Sequence, residues 1–245
     1  MVGQCFIYIF QMRIDTYAIC YNEEKILPYF LKHYLQYGKV FIYDNYSTDN
    51  SVKIIQEAGA IVIPYDSDDK LNDLRYIEIK NNCWKGSDAD WVIVCDCDEF
   101  VYHKNLAEYI KDSTFTAYEP TWYEMFSQSF PTTDDHIYDE VKLGYEAWPK
   151  LNLFKPKELT EINYEVGCHL CKPEGNVVLN YAASDIVTLH MRHLGKQYII
   201  DRNGMYAQRL SDINIQNKWG WHLAQTPEQI SEGFDKEFKI TRKVV

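Results

Sequence analysis

The chain has 245 residues, 46% of them apolar and 15% aromatic, and a formal net charge of −11. That length and apolar content exclude global disorder and allow a sizeable buried core. The negative charge, with no run of Lys or Arg, argues against a nucleic-acid partner, whereas a phosphorylated small molecule stays acceptable where a bound cation inverts the local sign.

The N-terminus, Met1 to Phe10, carries only a short apolar run from Cys5 to Phe10. It lacks a basic start and is too short for a signal segment or a membrane span, so residues 1–11 read as a possible extension. No later segment is apolar enough to cross a bilayer. Ile14 to Cys20 reads as a buried strand, and Glu23 to Tyr37 as a helix with Ile26, Leu27, Phe30, Leu31, Tyr34 and Leu35 on one face. Gly38 ends that helix, and Lys39 to Tyr43 is a second, β-branched and aromatic strand. Ser47-Thr48-Asp49 supplies a cap for a helix over Asn50 to Glu57, closed by Gly59. Ala60 to Tyr65 is a third strand, Asp69 to Trp84 a third helix stopped by Gly86, and Asp90 to Cys95 a fourth strand. Strands separated by helices at this spacing predict a parallel sheet with right-handed crossovers.

After Phe100 the pattern changes. A short helix is expected over Asn105 to Lys111, then strands over Phe115 to Glu119 and Thr121 to Ser127. An irregular stretch follows, with Pro131, Pro149 and Pro156. Strands are expected at Lys150 to Lys155, Val177 to Tyr181 and Ile186 to His190. Helices are expected over Leu194 to Leu210 and Pro227 to Phe238. With no repeat and no linker, the chain reads as one α/β domain in two unequal halves, 12–102 and 103–245.

Seven cysteines, an odd number in a long chain, fit reduced thiols in a cytoplasmic compartment better than a disulfide scaffold. Cys168-His169-Leu170-Cys171 offers too few ligands for a structural zinc site.

Chemistry concentrates where the fourth strand ends. Residues 90–100 place Asp96, Asp98 and Glu99 just beyond an apolar strand. In open α/β sheets ligands bind beyond the carboxyl ends of the strands. A turn there lets Asp96 and Asp98 converge, and hard oxygen donors suit Mg²⁺ or Mn²⁺. Tyr21-Asn22-Glu23-Glu24 and Asp44-Asn45-Tyr46-Ser47-Thr48-Asp49 follow the first and second strands. Parallel strands all point one way, so these three polar loops surround a single crevice.

Those two loops resemble the opening motifs of family-2-like glycosyltransferases of GT-A fold. Asp96-Cys97-Asp98-Glu99-Phe100 resembles the DxDEF motif of the branch related to family 92. The resemblance is strongest over residues 14–102 and extends more weakly through Lys150, His169, His190 and Gly220-Trp221-His222. It implies a GT-A fold: a mostly parallel, Rossmann-like sheet flanked by helices, with a mixed acceptor-binding half. It further implies a nucleotide-sugar donor (by default a uridine diphosphate sugar), a divalent metal, and transfer with inversion to a hydroxyl acceptor on a glycan or small molecule. On that resemblance Cys20, Asn22, Glu23 and Asp44 would line the nucleoside pocket, and Arg75 would approach the base or diphosphate. Cys97 stands within the donor-binding motif. Asp96 would contact ribose or metal, Asp98 would be the principal ligand, and His190 would complete the metal site. Tyr46 departs from the Gly or Ser usual at its position. An inverting transfer needs a base near the acceptor hydroxyl; Glu140, Glu146, Glu165 and His169 are the candidates in the second half. The alternatives are a sugar nucleotidyltransferase, which would carry a Gly-rich basic loop where this chain has Tyr-Asn-Glu-Glu, and a non-catalytic carbohydrate-binding protein of the same fold.

Overall fold

The computed structural model describes residues 12–245, and the extension expected at residues 1–11 lies outside the described residues. Its first half alternates β1 (Ile14–Cys20), α1 (Leu27–Tyr34), β2 (Val40–Asp44), α2 (Ser51–Glu57), β3 (Ile61–Pro64), α3 (Asp73–Asn82) and β4 (Trp91–Asp96). The strands lie parallel in the order β3-β2-β1-β4. The order reverses between β1 and β4, and that switch point opens a crevice at their carboxyl ends. β1 is buried along its whole length. Its one carboxylate, Asp15, accepts from Arg13 Nε at 3.0 Å and from the Lys39 amide at 3.1 Å, so no buried charge is left unmatched.

Two helices of this half are shorter than their apolar periodicity suggests. α1 starts at Leu27 because Pro28, which lacks an N–H, suits a first turn and not a helix interior. The residues before it form a turn in which Ile26 and Leu27 donate to the Glu23 carbonyl. α3 starts at Asp73, capped by the Asn72 side chain, which accepts from the amides of Leu74 and Arg75. Asp68 and Asp69 ahead of it adopt positive φ (56° and 52°), which no helix continues through.

The second half adds β5 (Glu99–Tyr102), α4 (Leu106–Ile110), β6 (Ala117–Ser127), α5 (Ile137–Glu140), β7 (Leu143–Ala147), β8 (Leu153–Phe154), β9 (Leu159–Glu161) and β10 (Glu174–Gly175). Next come β11 (Leu179–Leu194), α6 (Lys196–Ala207), α7 (Asp212–Gln216), a 3-10 turn (Trp221–Ala224), α8 (Pro227–Phe238) and β12 (Arg242–Lys243). The sheet continues from β4 through β8, β6 and β7 to β12, while β11 pairs with both β5 and β6. Most of these pairings are antiparallel, so this half is mixed where the first is parallel. The whole is the α/β arrangement of a GT-A fold.

Where two strands are expected on either side of Pro120, β6 runs straight through. Its Ala117 and Tyr118 pair with β8, and Trp122 to Phe126 pair with β7, so Pro120 falls in the gap between those antiparallel partners. The strands expected at Val177 to Tyr181 and Ile186 to His190 are likewise one strand, β11. The strand expected over Lys150 to Lys155 contracts to β8 between Pro149 and Pro156. α8 keeps its expected limits, closed at the start by a capping box between Thr226 and Gln229. No helix among the described residues is long and apolar enough to cross a membrane.

Candidate active site

The loop after β1 and the loop after β2 are tied together before they can hold anything else. Asn22, at φ 52°, is in the left-handed region that Asn tolerates. Its Oδ1 accepts from the Thr48 amide at 2.7 Å and its Nδ2 donates to Thr48 Oγ1 at 3.0 Å. The amides of Asn22, Glu23 and Glu24 donate to Ser47, Ser51 and Asp49 respectively. This lock turns the Glu23 side chain inward, towards the end of β4.

There four carboxylates meet four basic groups. Asp96 accepts from Lys80 at 2.6 Å and lies 3.6 Å from Lys150. Glu99 accepts from Lys150 at 2.6 Å, and its other oxygen accepts from the Asp96 amide. Asp98 lies 3.0 Å from Arg202 and 3.5 Å from His190 Nε2. Glu23 accepts from Arg202 at 2.6 Å and from the Tyr206 hydroxyl at 2.8 Å. Burial opposes the charge on Asp96, but the Lys80 and Lys150 ammonium groups outweigh it and hold the acid well below the usual carboxylate range. Burial likewise opposes the charge on Asp98, and Arg202 and His190 outweigh it. Burial raises Glu23 and Glu99 despite Arg202 and Lys150 beside them. Burial disfavours an imidazolium at His190, yet Glu124 and Asp98 lift its pKa to about 10. The crevice is therefore close to charge-balanced rather than simply acidic.

A cavity of ≈ 460 Å³ opens over this cluster. Glu23, Asp96, Cys97, Asp98, His169 and His190 all line it. Asp98, Glu99 and His190 each present a ligand atom, all within 4.8 Å of one another. Two carboxylates and an imidazole fit Mn²⁺ or Mg²⁺. His190 Nδ1 donates to Glu124 at 2.9 Å, which directs Nε2 towards Asp98, the carboxylate–histidine arrangement that orients metal ligands. Glu99 lies in this group, while the Asp96 carboxylate, which the sequence also suggested as a ligand, accepts from Lys80 at 2.6 Å and falls outside it.

Other residues singled out in the sequence lie elsewhere. Cys20 and Asp44 are buried behind the loops, Asp44 accepting from the Ser47 amide. Asn22 serves the loop lock, and Arg75 turns outward to Glu78 at 2.5 Å. Glu140 accepts from the amides of Thr132 and Thr133, Glu165 pairs with Lys172 on the surface, and Glu146 faces a neighbouring cavity. Of the four base candidates, only His169 lines the main cavity. Its Nδ1 faces the Pro149 carbonyl at 3.4 Å, and since that oxygen only accepts, Nδ1 carries the proton and Nε2 is left as an acceptor. Desolvation and the Lys150 ammonium lower its pKa.

Sequence reasoning overlooked Lys80, Arg202 and Glu124. Lys80 is the informative omission, because it lies beside Ile79 on the buried side of α3, where a lysine needs a carboxylate partner. Arg202 and Glu124 stand far from the acidic triplet in sequence and carry no local signal.

A profile of Glycosyl transferase family 2 matches residues 17–169, well over half of the chain. The chain belongs to glycosyl transferase family 2. The match covers the loop after β1, the loop after β2, the acidic triplet and His169, while His190 and Arg202 lie beyond it. No curated protein sequence matches this family 2 chain. Among solved structures, S. aureus TarS 1-349 is 17% identical over 49% of this chain and 39% of that one, with TM-score 0.38. Glucosyl-3-phosphoglycerate synthase from Mycobacterium tuberculosis, in complex with phosphoglyceric acid, is 12% identical over 64% of this chain and 62% of that one, with TM-score 0.41. Mannosyl-3-phosphoglycerate synthase from Rubrobacter xylanophilus is 10% identical over 45% of this chain and 40% of that one, with TM-score 0.31. This family 2 chain thus spans less than two thirds of the length of each.

Proposed function

We propose that the chain is a metal-dependent glycosyltransferase that moves a sugar from a nucleoside-diphosphate sugar, by preference a uridine diphosphate sugar, to a hydroxyl acceptor with inversion. The observation that carries this is the convergence of Asp98, Glu99 and His190 at the switch point of the sheet, in a cavity also lined by Lys80, Arg192 and Arg202. A divalent ion held by Asp98, His190 and Glu99 would supply positive charge for the departing diphosphate. The basic side chains add fixed charge for the same oxygens. Tyr21, Leu71 and Tyr76 line the same cavity and offer flat or apolar surface to a nucleoside.

At the anomeric carbon the transfer makes one bond and breaks one. The acceptor oxygen bonds to the anomeric carbon, and the bond from that carbon to the diphosphate oxygen breaks. The nucleoside diphosphate leaves with the electron pair, and the hydroxyl proton passes to a base. His169, the one base candidate that lines the cavity, would take that proton on its free Nε2. The chain thus serves as one α/β domain with a donor half (12–102) and an acceptor half (103–245).

Calorimetric titration of uridine diphosphate into the protein tests the reading. Binding is expected with Mn²⁺ present, to be lost with chelator, and to be lost in Asp98→Asn. Equal affinity under all three conditions would overturn the metal assignment.

A further inference from the structure

A second cavity, ≈ 780 Å³, adjoins the first, and Arg192, Trp221 and His222 line both. β6, β7, β11, the 3-10 turn and α8 enclose it, and apart from the shared Arg192 the donor reading makes no use of it. Its rim is unusual for this chain. Trp84, Trp91 and Trp122 are 1% exposed, whereas Trp148 is 77% and Trp221 68% exposed, and both border this cavity. An indole left in water forgoes the burial that most tryptophans obtain, so two at one opening mark a surface awaiting a ligand with flat apolar faces.

The polar groups narrow the ligand further. Glu146 and Glu237 reach the cavity from β7 and α8, the second accepting from the Tyr145 hydroxyl at 3.0 Å. Glu124, at the inner wall, is held by His190 at 2.9 Å and lies 3.5 Å from His193. Arg192 is the one arginine or lysine of the lining, against three carboxylates, of which Glu124 is paired with His190 and Glu146 lies 3.7 Å from Arg242. A phosphate or carboxylate on the ligand would meet those acids as well as a chain of net charge −11. Hydroxyl groups suit the lining, since they donate to the carboxylates and accept from Arg192 and Gln225.

We infer that this second cavity is the acceptor site, and that it takes an uncharged carbohydrate stacked on Trp148 and Trp221. The inference rests on the donor reading of the first cavity. An acceptor stacked there reaches the donor through the shared wall at Arg192, Trp221 and His222. The ligand's pyranose C–H faces lie on the indoles, and its hydroxyls are held by Glu146, Glu237 and Gln225.

Saturation-transfer NMR on the whole chain with Mn²⁺ and uridine diphosphate tests it. The probes are cellobiose, lactose, maltose and diacetylchitobiose, with glucose 6-phosphate and glucuronic acid as charged counterparts. At least one neutral disaccharide is expected to bind through its ring C–H protons and more tightly than either charged sugar. Trp148→Ala is expected to weaken that binding about tenfold, the scale of one lost stacking contact, and Trp148→Phe to restore most of it. Since Trp148 is at the surface, equal melting temperatures of the variants and the parent establish that the fold is intact. Tighter binding of a charged sugar, indifference to Trp148→Ala, or no neutral disaccharide bound while uridine diphosphate still binds with Mn²⁺ would each overturn the inference and leave the donor reading standing. Failure of the uridine diphosphate titration itself would remove both.

Discussion

His33 is fully buried on α1, with Nε2 donating to the Val101 carbonyl at 3.0 Å and Nδ1 accepting from the Tyr138 hydroxyl across 3.3 Å. Burial, which outweighs the Val101 contact, depresses its pKa to about 4. The unfolded chain, titrating near 6.5, therefore binds the proton more readily, and stability falls as pH drops through the window from about 6.5 to about 4. The full loss is on the order of 3 kcal/mol. Urea unfolding between pH 7 and pH 4.5 is expected to show a steeper decline for the parent than for His33→Gln; parallel curves would refute the assignment. His169, proposed above as the base, allows a different test. His169→Ala is expected to lower kcat by roughly 10²–10⁴-fold, the usual worth of a general base, with the affinity for uridine diphosphate nearly unchanged. An equal loss in both would make it a binding residue.

At the scale of elements, the loops after β1 and β2 behave as one unit because Asn22 joins them. Replacing Asn22 by Ala removes its side-chain hydrogen bonds and places a Cβ residue without local compensation at φ 52°. The combined cost is about 2–3 kcal/mol, from roughly 1 kcal/mol per lost bond and a similar amount for the left-handed backbone. Asn22→Gly relieves the backbone part alone, so denaturant midpoints are expected in the order parent, Gly, Ala. Midpoints with Ala above Gly would show that backbone conformation is not the issue. The same loops explain what was legible beforehand. β1, β2 and β4 were readable because buried parallel strands write continuous apolar runs, and their loops end in polar clusters. β6 and β11 look broken in the sequence, since Pro120 and the polar stretch through Ser184 and Asp185 resemble boundaries when the neighbouring strands are unknown.

For the whole molecule, the proposed function links metal, donor and folded chain by mass action. At a hundredfold excess over Kd, bound uridine diphosphate with Mn²⁺ adds about 2.7 kcal/mol to stability. For a chain of this size that corresponds to a rise in melting temperature of roughly 5–10 °C, absent with chelator. A rise that persists in chelator would mean the diphosphate is held by Lys80, Arg192 and Arg202 alone. By itself the sequence determined the parallel half, the single sheet edge shared by three loops and the acidic triplet beyond β4, because strand periodicity and chain direction are local properties. It suggested His190, which the structure brings within reach of Asp98 and Glu99. Only the tertiary structure decided that Glu99 comes within reach of Asp98 and His190, that Lys80, Lys150 and Arg202 neutralise the crevice, and that His169 alone among the base candidates lines it. Those outcomes depend on distances between residues as much as 179 positions apart, as Glu23 and Arg202 are, and no local pattern encodes such a pairing.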